Sequence, residues 1–89
     1  MSGFTTEDVP RLASRVRIRH DPARDAEVLL FPEGVLVLNS SAAAILALCD
    51  GTRSAGGIAA ALAAQLDGKD VWDDVAALLD RLAARGLVE

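Results

Sequence analysis

Polar and apolar residues alternate with a period of two from Arg15 to Arg19, where Val16 and Ile18 interleave with three arginines. That spacing predicts a half-buried strand, its β-branched residues turned to a core and its arginines to solvent. Asp21-Pro22-Ala23-Arg24-Asp25 then carries turn chemistry, because proline fixes φ and aspartate side chains bond nearby backbone N–H groups. A second strand over 27–31 puts Val28 and Leu30 on one face and Leu29 and Phe31 on the other. Past the Pro32-Glu33-Gly34 turn, a third strand over 35–38 repeats this, with Leu36 and Leu38 opposed to Val35 and Val37. Strands apolar on both faces imply either burial on both sides or an edge that attracts a further strand.

After Leu38 the period becomes helical. Asn39, Ser40 and Ser41 are all good N-cap residues ahead of the apolar run beginning at Ala42, and Gly51 stands where a left-handed C′ residue is expected, so a first helix is predicted over about 41–50. A second begins near Ser54, carries Ile58, Leu62 and Leu66 as a narrow stripe among alanines, and closes at Gly68. For the third, Asp70 is the expected cap. Asp73 and Asp74 suit the positive end of its dipole, Arg81 and Arg85 the negative end, and Gly86 the stop. Val71, Val75, Leu78 and Leu82 form one apolar stripe on this helix, and Trp72, Ala76, Leu79 and Ala83 form a second. Together they span about 160° of the circumference, against roughly 100° for an ordinary surface helix, so the third helix is expected to touch both a core and something else.

Residues 1–13 show no periodicity and read as a flexible N-terminal arm, with a single domain over 14–89. Three strands followed by three helices predict an α+β fold, a winged helix-turn-helix-like arrangement with a three-stranded antiparallel sheet placed first.

Composition narrows the function. At 89 residues, 52% hydrophobic but only 3% aromatic, the chain must build its core from Leu, Val, Ile and Ala. Its net charge of −4 and pI near 4.8 argue against a nucleic-acid binder, since phosphate neutralisation supplies most non-specific affinity. The charge is uneven: Arg11, Arg15, Arg17 and Arg19 gather early, whereas Asp67, Asp70, Asp73, Asp74 and Asp80 gather late. No signal-peptide layout is seen, and the longest apolar run, Ala42 to Cys49, is far short of a membrane span. A lone cysteine fits a reducing cytoplasmic setting.

Catalytic equipment is sparse. His20 beside Asp21 sits at a turn with no nucleophile near it, and Ser40 and Ser41 are better explained as helix caps. One histidine and one cysteine do not make a metal site, and Gly56-Gly57 lacks the flanking residues of a phosphate loop. No catalytic residue, metal or cofactor is expected.

Several segments together resemble the PqqD family. They are Arg17-Ile18-Arg19-His20-Asp21, Leu29-Leu30-Phe31-Pro32-Glu33, Ser41-Ala42-Ala43-Ala44-Ile45-Leu46 with Asp50-Gly51-Thr52, and Asp74-Val75-Ala76-Ala77-Leu78-Leu79 with Gly86-Leu87-Val88. The likeness runs over about residues 11–89. Where the family commonly has an aromatic residue before the Leu-Leu pair and an arginine after Pro-Glu, this chain has Val28 and Gly34. The resemblance implies a non-enzymatic peptide chaperone of pyrroloquinoline quinone biosynthesis. Such a protein binds the precursor peptide PqqA and presents it to the radical S-adenosylmethionine enzyme PqqE. It further implies a recognition element for ribosomally synthesised, modified peptides (RiPPs), in which the peptide adds as a strand and packs against the third helix.

Carried onto this sequence, the peptide edge is Gly34, Val35, Leu36, Val37, Leu38 and Asn39. The groove wall is Val71, Trp72, Val75, Ala76, Leu79 and Leu82, with side-chain selectivity expected around Trp72, Ala76 and Leu79. Two rival readings are a recognition element for another modified-peptide pathway and a DNA-binding winged helix, whose acidic third helix suits phosphate poorly. The same sticky edge could also pair two copies into a homodimer.

Overall fold

The computed structural model describes residues 3–65 and 71–89. Three strands, β1 (Arg17–Asp21), β2 (Ala26–Phe31) and β3 (Gly34–Leu38), precede three helices, α1 (Ser40–Ala47), α2 (Ala55–Gln65) and α3 (Trp72–Ala84). The sheet is antiparallel throughout, in the order β1-β2-β3. This is the α+β, winged helix-turn-helix-like arrangement that the hydrophobic pattern predicts. Leu66, Asp67, Gly68 and Asp70, which that reading uses at the end of α2 and the start of α3, lie outside the described residues.

Each hairpin closes for a local reason. Between β1 and β2, Asp21 Oδ1 accepts the Ala23 N–H at 3.0 Å, Oδ2 accepts Arg24 Nη1 at 2.6 Å, and Asp25 takes a left-handed φ of 50°. Between β2 and β3 only Pro32 and Glu33 intervene, and Phe31 pairs with Gly34. The first strand starts two residues later than its alternation suggests. Arg15 occupies the left-handed region at φ 71°, so the chain turns there before it can extend.

α1 is also shorter than expected. Asn39 caps it, its Oδ1 accepting the Ala42 N–H at 2.7 Å, but the helix closes at Leu48. Gly51 does have positive φ (82°), yet it belongs to the following turn and donates its N–H to Pro10 O at 3.2 Å. At the end of α3 the glycine signal holds. Gly86 is left-handed at φ 74°, its N–H donates to Ala83 O, and Leu87 N–H reaches back to Leu82 O, the double bond of a Schellman stop.

The core gathers Leu29 and Leu38 from the sheet, Ile45 and Leu46 from α1, Ile58 and Leu62 from α2, and Val75, Leu78, Leu79 and Leu82 from α3. Residues 3–13, expected to be a loose arm, are laid against this body. Asp8 O and Thr6 O accept the Ala55 and Gly56 N–H groups at 2.6 and 2.9 Å, and Ser54 Oγ accepts that of Gly57, so the exposed donors at the start of α2 are satisfied. The approach is close enough that a Cβ on Gly56 would stand 3.0 Å from Thr6 Cβ. Farther along, Phe4 N–H donates to Asp80 Oδ1, Pro10 is fully buried, and Arg11 exchanges backbone bonds with Glu89. These are mostly main-chain bonds, which leave no hydrophobic period to read.

Candidate peptide-binding groove

The two-residue turn fixes which backbone groups of β3 face outward. With only Pro32 and Glu33 between them, Phe31 and Gly34 must be a hydrogen-bonded pair, and antiparallel pairing alternates from there. Leu29–Leu36 and Glu27–Leu38 are therefore bonded pairs as well. Val35 and Val37, opposite Leu30 and Val28, direct their N–H and C=O groups to the free side of β3. Their side chains stand on the outer face of the sheet, 53% and 51% exposed, while Leu36 and Leu38 turn inward. β3 is thus an open edge, and its outer face is not core.

A trough runs beside this edge. Its sheet side is formed by Leu36, Val37, Leu38 and Asn39, and its far wall by Leu78, Arg81, Leu82 and Arg85 of α3. It encloses about 210 Å³, below the ~300–1,000 Å³ of a typical small-molecule pocket, and continues between α1 and α3 past Ala42, Ala77 and Asp74. Such a shape suits side chains of an extended segment rather than a compact ligand. β1 also has an open outer edge, but α3 stands beside β3.

The wall differs from the one the sequence suggests. Val75 and Leu79 are 0% exposed and Val71 is buried, so all three belong to the core. Leu82 is buried too, yet it reaches the trough floor. Trp72 and Ala76 are half-buried on the opposite flank of α3: Trp72 and Arg81 are nine residues apart, about two and a half turns, and so point in opposite directions. Trp72, Ala76 and Leu79, around which selectivity is expected, do not line the trough, whereas Asp74, Leu78, Arg81 and Arg85 do. That stripe is legible at i, i+4, i+7 and i+11. In the sequence it is masked, because Leu78 reads as core and the arginines read as dipole partners.

Where the trough adjoins β3 its charged residues are Arg81 and Arg85. Arg85 lies over the Phe31 ring at 5.7 Å from its centroid, which fixes the guanidinium at the turn end of β3. Arg81 has no ion-pair partner among the described residues, although the chain is acidic.

The remaining reactive side chains sit elsewhere. His20 Nδ1 lies 2.8 Å from Glu27 Oε2 and its Nε2 3.8 Å from Asp25, an exposed cluster at the β1–β2 hairpin. Cys49 is buried, its Sγ donates to Ile45 O, and burial pushes its thiol pKa up to about 11, the reverse of activation. Arg24 beside Asp21, and Thr52 beside Asp50, hold those exposed carboxyls below the usual range. Among the described residues no group of three or more His, Cys, Asp or Glu is placed to hold a metal, and no helix is long and apolar enough to cross a membrane.

Known proteins share this architecture. The solution structure of the PqqD truncation of Methylobacterium extorquens PqqCD, described as a functional stand-alone RiPP recognition element, superposes with a TM-score of 0.83 at 36% identity. The match covers 97% of this chain and 94% of that one. In fold the chain matches that RiPP recognition element. Residues 27–88 match the family model for coenzyme PQQ synthesis protein D, PqqD. Two relatives named PqqA binding protein, from Azotobacter vinelandii and Xanthomonas euvesicatoria pv. vesicatoria, are 41% and 42% identical over 90 aligned positions. Each alignment covers at least 99% of this chain and 98% of the relative. The chain belongs to the PqqD family.

Proposed function

We propose that this protein is a non-enzymatic, cytoplasmic carrier of pyrroloquinoline quinone biosynthesis. It takes the precursor peptide PqqA as a fourth strand beside β3 and presents it to the radical S-adenosylmethionine enzyme PqqE. The observation that carries the reading is the outward-facing backbone of Val35 and Val37 alongside a trough walled by α3. Main-chain pairing at these residues offers about four hydrogen bonds at ~1 kcal/mol net each. A micromolar complex needs about 8 kcal/mol, so side chains docked in the trough must supply the rest. Ordering a flexible peptide costs a further ~2–5 kcal/mol, so about four apolar side chains at ~1.5–2 kcal/mol each are required. Leu36, Leu78 and Leu82 give them apolar contact, and Arg81 offers a carboxylate a partner.

The test is an amide NMR titration of the labelled protein with PqqA, in the wild type and in Val37→Pro. Shifts are expected along residues 34–39 and around Leu78, Arg81 and Arg85, and the proline variant should remain folded while losing the peptide. Shifts confined to other surfaces, or unchanged affinity in the folded proline variant, would refute strand addition at β3. Binding of an unrelated modified-peptide precursor in preference to PqqA would move the protein to another pathway.

A further inference from the structure

The core uses the inner face of the sheet, and the trough meets the outward-facing residues of β3 only at Val37. On the outer face the register lines up Arg19, Val28 and Val37 in one row across the three strands, and Arg17, Leu30 and Val35 in the next. Val35 and Val37 are half exposed, and Val28, though buried, does not join the core cluster. The result is an apolar strip with a cationic margin along β1. Arg17 and Arg19 are exposed, and among the described residues neither has an ion-pair partner. Arg11, Arg24 and Arg53 are paired with Glu89, Asp21 and Asp50, and Arg85 lies over Phe31, while Arg15 and Arg81 also lack an ion-pair partner among the described residues. A protein of net charge −4 thus leaves two neighbouring arginines uncompensated beside the most exposed large apolar side chains among its described residues.

We propose that this outer face docks a protein surface that presents carboxylates beside an apolar ridge, and that the surface belongs to the enzyme receiving the peptide. The proposal therefore rests on the presentation reading above. Complementary charge argues for such a partner: carboxylates would meet Arg17 and Arg19 while the ridge covers Val35 and Val37. Nucleic acid or an anionic membrane also offers negative charge, but two arginines on an acidic body, without an aromatic side chain in either row, give little hold on a phosphate surface. The face also stays open when the trough is filled. A strand added beside β3, about 4.8 Å away, would continue both rows, so its outward side chains would lie next to Val35 and Val37. Carrier and cargo would then be read on one continuous surface.

The experiment compares wild type with an Arg17→Glu/Arg19→Glu double variant and an Arg17→Lys/Arg19→Lys control, each checked for folding by circular dichroism. PqqA affinity is measured by calorimetry and PqqE affinity by biolayer interferometry. Charge reversal should weaken PqqE binding about tenfold or more while PqqA affinity stays within about twofold, and the lysine control should retain most of the enzyme affinity. Raising the salt should weaken the wild-type complex with PqqE. Undiminished PqqE binding by the folded glutamate variant overturns the proposal. So does a parallel loss of PqqA, which would make the face part of the peptide site. So too does a wild-type dimer that charge reversal dissolves, which would assign the face to a second copy. No PqqE binding by the wild type would instead defeat the presentation reading, and this surface with it.

Discussion

Leu79 and Cys49 show how one side chain's surroundings decide what it can do. Leu79 lies on the stripe from which peptide selectivity was expected, yet it is 0% exposed in the core, so Leu79→Ala should destabilise the fold by about 2–5 kcal/mol. Denaturant unfolding should register that loss, while the variant's folded fraction should bind peptide as before. Cys49 is buried just past the C-terminal end of α1, with its thiol pKa raised from 9.0 to about 11. The unfolded thiol ionises first, so this group's contribution to stability is fully present below about pH 9 and declines as pH rises toward 11. Native protein should resist a thiol reagent at pH 7.5 and react promptly in denaturant. Rapid native labelling would show that the site opens readily.

At the scale of elements, β3 divides its backbone between two uses. The groups of Leu36 bond β2, whereas those of Val37 face the open side, a division set by the two-residue turn after Phe31. Proline at the two positions should therefore act differently. Leu36→Pro removes a ladder bond and should lower the melting temperature strongly, while Val37→Pro should leave the melt nearly unchanged and abolish peptide binding. Equal thermal losses in both variants would contradict the alternation assigned here. α3 shows the same division around its circumference. Val75, Leu79 and Leu82 hold the core, and Asp74, Leu78, Arg81 and Arg85 edge the trough. As the second helix of a helix-turn-helix pair it occupies the position of a recognition helix, but Asp73 and Asp74 in its first turn suit phosphate poorly.

For the whole molecule, the first residues join parts that the chain order separates. Thr6 and Asp8 cap α2, Phe4 meets Asp80 on α3, and Arg11 pairs with Glu89 in backbone and side chain. Deleting residues 1–8 should hand the Ala55 and Gly56 donors back to water and uncover the surface beneath Phe4. A loss of ~1 kcal/mol would lower the melting temperature by roughly 4–8 °C in a domain of this size, readable by calorimetry. Peptide affinity should change little, because the trough lies on the other flank of α3. An unchanged melt would mean that these bonds add nothing to the folded state.

Local pattern by itself determined the element order, the hairpin at Pro32-Glu33, a cap among Asn39, Ser40 and Ser41, the Gly86 stop and the alternation that gives β3 two different faces. Each follows from period, cap and turn chemistry within a few residues. Tertiary structure alone decided which of α3's two apolar stripes is core, because that depends on how the helix is rotated against the sheet and α2. It likewise decided that residues 3–13 lie against the body, since backbone bonds between distant segments leave no periodic trace. The pairing of Arg11, Arg24 and Arg53, and the lack of an ion-pair partner for Arg15, Arg17, Arg19 and Arg81 among the described residues, also had to wait for the fold. Charge counts locate cations along a chain, but only packing in space shows which of them have met an anion.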